Sequence, residues 1–125
     1  MNREQKLVQE WHEKFDVPVG KSPRVVDKSV MSLRVSLIQE ELNEFAKAGS
    51  DGDIVKVADA LADLLYVVYG SAVSFGIDME EVFEEVHRSN MTKDGGGKAL
   101  NGKVLKGPNW SPPVLELILK RQGLD

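Results

Sequence analysis

Two groups of carboxylates are the residues in this sequence most suited to chemistry. The stretch Gln39-Glu40-Glu41-Leu42-Asn43-Glu44 holds three of them. On a helix each residue advances by about 100°, so Glu40 and Glu44 lie one turn apart on one face and Glu41 falls in the same arc. The second stretch, Asp59-Ala60-Leu61-Ala62-Asp63, sets two aspartates at i,i+4. If the two helices pack as an antiparallel hairpin, up to five carboxylates converge on one spot. Like charges so placed repel, and a cation is the natural remedy. Hard oxygen donors suit Mg²⁺, with Mn²⁺ as an alternative. The bland reading is that the acids face solvent or pair with Arg34 or Lys56. Against it, Asp is a poor helix former, and Asp59 and Asp63 stand in the apolar run Val57 to Leu65, where an unpaired carboxylate is costly to bury.

A second constellation is His87-Arg88-Ser89-Asn90-Met91-Thr92-Lys93. Arg88 and Lys93 can hold phosphate oxygens by charge, and Asn90 can hydrogen-bond phosphate or a base. The same residues also read as a helix C-terminus with cations complementing its dipole. Arg34 lies seven residues before Glu41, nearly on one face, where it can contact a phosphate or neutralise the acidic cluster. His12, beside Trp11, reads as a surface or packed residue rather than a catalytic one. Trp110 and the glycine-rich stretch before it can cap a substrate or support a subunit contact. The triple glycine Gly95-Gly96-Gly97 is not a phosphate loop, because the GxxxxGK[ST] pattern is absent. No Ser–His–Asp or Cys–His set and no zinc-ligand spacing appears.

The elements that must position these groups are helical. Leu7, Val8, Trp11 and Phe15 give a first helix over Arg3 to Phe15, followed by a loop broken by Pro18, Gly20 and Pro23. A long helix is expected from the N-cap Asp27 to Gly49, with Val30, Leu33, Leu37, Ile38, Leu42 and Phe45 inward. The short link Ser50 to Asp53 returns the next helix, Asp53 to Phe75, antiparallel to it. That helix has few polar residues after Asp63, so it belongs in the middle of the domain or at a subunit interface. Asp78 caps a fourth helix ending near Asn90, with Glu81 placed as in a capping box. Asp94 to Asn109 is rich in Gly, Lys and Asn and reads as a loop or a small β excursion. Pro112-Pro113 starts a last helix, Val114 to Arg121. The expected fold is one all-α domain over residues 1–125, a four-to-five-helix bundle with a Gly/Lys-rich loop before the C-terminal helix.

Bulk properties bound the rest. A chain of 125 residues is one domain by length and long enough for its own core. A net charge of −4 gives no general attraction to a nucleic acid polymer or an anionic membrane. The chain has no cysteine, which excludes disulfides and thiolate chemistry and fits a reducing cytoplasm. The charged N-terminus lacks the apolar region of a signal peptide. No uninterrupted apolar run reaches the roughly 18–20 residues of a membrane span, so no membrane partner is expected.

With these motifs in place, the chain resembles the MazG-like all-α nucleoside triphosphate pyrophosphohydrolases, in the branch similar to phosphoribosyl-ATP pyrophosphohydrolase. The resemblance rests on EExxE followed by the pair ending Asp63-Leu64-Leu65-Tyr66. It also rests on the run Ala58 to Gly70, on Glu85-Val86-His87-Arg88-Ser89-Asn90-Met91-Thr92-Lys93, and on Gly102-Lys103-Val104-Leu105-Lys106-Gly107-Pro108. It implies a Mg²⁺-dependent hydrolase that splits the α–β phosphoanhydride of a nucleotide into a monophosphate and pyrophosphate, working as a homodimer or homotetramer. By position, Glu41, Glu44 and Asp63 match metal-binding carboxylates, and Glu40 matches a group that holds a further metal or orients water. Arg34, Arg88, Asn90 and Lys93 would contact substrate. The resemblance has one departure, since the usual second motif is ExxD and Ala60 stands at its first position. Asp59 is the neighbour able to replace it as a ligand. Two other readings stay open: the histidine-pathway phosphoribosyl-ATP hydrolase, and a non-catalytic helical binding or assembly module.

Overall fold

A computed structural model describes all residues 1–125. It contains five helices and no strand: α1 (Arg3–Lys14), α2 (Lys28–Asp51), α3 (Ile54–Phe75), α4 (Met79–Asn90) and α5 (Glu116–Arg121). The expected caps set the boundaries. Asp27 accepts from Val30 N, Asp53 from Lys56 N and Asp78 from Glu80 N, each satisfying a first-turn donor. The helix α2 runs through Gly49, its expected end, to Asp51, because the left-handed C-terminal position is taken by Gly52 (φ 67°). Gly76 (φ 71°) closes α3 in the same way.

The antiparallel α2–α3 hairpin is the principal contact of the molecule, and α1 packs on α3. Small residues allow the close approach, Ala48 on α2 and Ala60 on α3 each being 4% exposed. Along the other end of the hairpin a polar layer is buried. His12 takes Pro18 O as the partner of Nδ1 at 3.1 Å, and Arg34 donates to Ser71 Oγ (3.1 Å) and Val67 O (2.8 Å). Gln5 bridges α1 to the α3–α4 turn, donating to Ile77 O and accepting from Met79 N. By length and composition α3 is apolar enough to cross a bilayer, but its first half carries Asp59 and Asp63, and α1 and α2 flank it, as for a bundle's central helix.

Much apolar surface stays uncovered. Leu33 and Leu42, expected inward, are exposed, as are Leu61, Leu65, Val68 and Phe83. The chain exposes 8865 Å², whereas a folded monomer of its 13.8 kDa would expose roughly 6,600 Å² by the usual size scaling. The last helix starts at Glu116 rather than Val114, because Val114 N is held by the Glu85 carboxylate at 2.7 Å. The Gly/Lys-rich segment folds into a small hairpin with one antiparallel bridge, Lys98 to Val104.

Candidate active site

Where α2 and α3 approach their connecting turn, the groove between them widens into a cleft of ≈ 420 Å³. Glu40, Glu41, Glu44 and Asp51 line it from α2, and Asp59 and Asp63 from α3, with Ala48 and Ala60 beneath and Lys47 and Lys56 beside them. The helical spacing explains the arrangement. Glu40 and Glu44 are one turn apart, Asp59 and Asp63 likewise, and the antiparallel pairing brings the two ladders face to face. Ala60 is buried on the floor of the cleft, and Asp59 lines it alongside Asp63.

The acids of the cleft repel one another. Desolvation raises the Glu41 carboxyl above its usual range, and the nearby charges of Asp63, Glu40, Glu44 and Asp59 push it further the same way. None of these five acids forms an ion pair with Arg34 or Lys56. Lys47 is tied instead to Asp51 at 2.9 Å. No three acidic or histidine side chains converge into a ready-made cage for a metal ion. An all-oxygen, part-exposed donor set of this kind fits a hard divalent cation that keeps waters and substrate in its sphere, and does not fit a closed structural site.

The four residues expected to contact substrate are placed elsewhere. Arg34 is buried, 4% exposed, and burial lowers its pKa. Its position seven residues before Glu41 puts it two turns along α2, where it braces α3 rather than neutralising the acids. Arg88 is held by Glu85 in a fork (Nε to Oε1 2.7 Å, Nη2 to Oε2 3.0 Å) and also donates to Ser111 Oγ and Pro112 O. Glu85 is pulled down to about 2 by Arg88 and by Val114 N–H. Asn90 and Lys93 follow at the end of α4, and neither lines the cleft. The motif around Arg88 therefore anchors the tail: Ser89 Oγ donates to Ser111 O, and Thr92 Oγ1 accepts from Ser111 N. His12 is a packed residue, as expected, its burial lowering its pKa. Lys47 and Asp51 are cleft residues that the motif-centred reading passed over. Both follow Glu44 at helical spacing, three and seven residues on, which is the signal that would have found them.

Residues 8–90 match the family model described as phosphoribosyl-ATP pyrophosphohydrolase, a span that contains both acidic ladders. The chain belongs to this family. It thereby joins the MazG-like all-α superfamily, and membership points to a pyrophosphohydrolase acting on nucleotides. The uncharacterized protein L479 of Acanthamoeba polyphaga mimivirus is 40% identical over 50 residues, covering 40% of this chain. The match spans only 20% of that relative's length. The family match ends at Asn90, so the hairpin and α5 lie beyond it.

Proposed function

We propose that this family member is a Mg²⁺-dependent nucleotide pyrophosphohydrolase, releasing pyrophosphate and a monophosphate by attack of water at the α–β phosphoanhydride of a nucleoside triphosphate. The observation that carries the reading is the pair of carboxylate ladders facing each other across one cleft with no cation paired to Glu40, Glu41, Glu44, Asp59 or Asp63. Glu41, Glu44, Asp59 and Asp63 would hold Mg²⁺, or Mn²⁺ in its place. The ion, when bound, supplies charge neutralisation and polarises the phosphoryl oxygens. Glu40, exposed at the edge of the cleft, would orient the attacking water and accept its proton. Lys56, the cleft lysine without an ion pair, adds positive charge for the phosphates. In-line phosphoryl chemistry asks mainly for positioning and charge stabilisation, which these side chains can provide.

The excess of roughly 2,200 Å² over the surface of a folded monomer supports a homodimer or homotetramer, since a standard interface takes about 800 Å² from each partner. The absence of cysteine agrees with a reducing, cytoplasmic setting, and the net charge of −4 argues against a nucleic acid polymer or an anionic membrane as partner. The family description favours one second reading, phosphoribosyl-ATP as substrate in histidine synthesis. The Lys-rich hairpin beyond the matched span places it second. Pyrophosphate release should be assayed from canonical and modified nucleoside triphosphates and from phosphoribosyl-ATP, with Mg²⁺ and with EDTA. Metal-dependent release from a triphosphate is expected. Release from phosphoribosyl-ATP alone would move the assignment to the second reading, and release from none would leave a non-catalytic helical module.

A further inference from the structure

The acidic cleft is short of positive charge for a substrate with several phosphates. Six carboxylates and two lysines line it, and Lys47 is already tied to Asp51. The arginines that sequence spacing offered are committed elsewhere, Arg34 to the α2–α3 core and Arg88 to Glu85. No residue after Asp63 lines the cleft.

Residues 98–106, which form the hairpin, carry three lysines. Lys98 and Lys103 make no ion pair, and Lys106 stacks on the Trp110 ring with Nζ 4.0 Å from its centroid. The hairpin is built, not loose. Ala99 N donates to Lys103 O (2.9 Å), Leu105 N to Gly97 O (3.1 Å), and Asn101 Oδ1 accepts from Lys103 N (3.1 Å). Its base is fixed by close backbone approach, since a Cβ on Gly107 would overlap Asp94 O. Its tip buries nothing: Leu100 is 111% exposed. The first half of α4 shares a pocket with Leu65, Val68 and Tyr69 of α3, whereas α2 holds Val67 and Ser71 through Arg34. The arm follows the far end of α4, and none of its residues lines the cleft of its own chain.

We propose that the Lys98–Val104 arm of one copy docks over the acidic cleft of a second copy, where Lys98 and Lys103 meet the substrate phosphates. The docking rests on the cleft being the pyrophosphohydrolase site. A second copy is the occupant because the arm's charge complements the cleft and because the uncovered apolar surface is large enough for an interface of standard size. The site is then incomplete in a single chain.

The test uses the absence of native cysteine. Copies carrying Leu100→Cys, distinguished by a mass tag, are mixed with untagged copies carrying Lys56→Cys, and treated with a short bis-maleimide. A tagged–untagged cross-link is expected with Lys56→Cys and not with Val25→Cys, a control at an exposed position remote from the cleft. No cross-link, an equal one to the control, or closure only within one chain in the Leu100→Cys/Lys56→Cys double variant would overturn the docking. In parallel, Lys98→Ala/Lys103→Ala should raise KM roughly tenfold through lost charge-assisted phosphate contacts. At substrate well below KM, mixing it with Glu44→Gln should give more activity than the sum of the two variants alone. A wild type inactive on every nucleotide that still cross-links would sink the pyrophosphohydrolase reading and keep the docking. An active wild type with neither cross-link nor restoration would do the reverse.

Discussion

Glu41 and Glu85 are both half-buried glutamates on helices, and their surroundings push them in opposite directions. In the α2–α3 cleft, Glu41 is raised by burial and by four other acids. On α4, Glu85 is held down to about 2 by the Arg88 fork and the Val114 amide. One acid is satisfied by its own chain and fastens the tail. The other stands in a group of mutually repelling acids. The contrast is the basis on which the cleft acids, and not Glu85, are proposed as the functional carboxylates.

The largest effect that would sharpen this contrast is on turnover. Glu44→Gln or Asp63→Asn should lower the rate of pyrophosphate release on the order of 10²- to 10³-fold, the scale for loss of one charge-stabilising group, while leaving the melting temperature at or above that of the wild type. A matching drop in melting temperature would make these acids structural and erase the distinction.

Next in size is a change at the buried polar layer. A Cβ on Gly70 would press into Arg34 Nη2 and lie 2.9 Å from His12 Nε2, so Gly70→Ala should destabilise by about 1–3 kcal/mol, the range for overpacking a fixed core. Denaturant unfolding measures it; no loss would mean that Arg34 is not held as the α2–α3 brace.

The anchor should respond to pH in a defined window. The folded pKa of Glu85 is depressed from 4.5 to about 2, so its contribution is fully present above the unfolded value and is lost as pH falls from about 4.5 towards 2. Hydrogen exchange over residues 111–114 should rise in that window in the wild type. In Arg88→Ala it should already be high at neutral pH, with the melting temperature lower by a few degrees.

The smallest effect has the opposite sign. Because the Glu41 pKa is raised in the fold, the folded chain binds protons more tightly there and loses stability as pH rises through that range. Glu41→Gln should therefore melt slightly above the metal-free wild type at neutral pH, and the gap should close when Mg²⁺ is added.

The hairpin and its acids were legible in the sequence because each feature is local. The 3.6-residue period sets the faces, Asp27, Asp53 and Asp78 mark the starts, and a short link forces the antiparallel return. The fate of Arg34 and Arg88 was not legible. Spacing put Arg34 on the face of Glu41, but two turns of rise carry it to Val67 and Ser71, and only the packed register reveals that. The partner of Arg88 lies three residues back, yet the reason for the pair lies at Ser111 to Val114, more than twenty residues on. The apolar face of α2 is read from sequence as inward, although Leu33 and Leu42 stay exposed, while α3 is read as a domain centre or a subunit interface, and its Leu61 is exposed too. Periodicity marks a face as apolar without saying which molecule covers it.

The central claim is that the cleft acids, and not the acids of the anchor, receive a divalent cation. Calorimetric titration of Mn²⁺ into the wild type, Asp63→Asn and Arg88→Ala tests it most directly. Saturable binding in the wild type and in Arg88→Ala, abolished in Asp63→Asn, is the expected result. No binding by the wild type, or binding that Asp63→Asn leaves unchanged, would contradict the account.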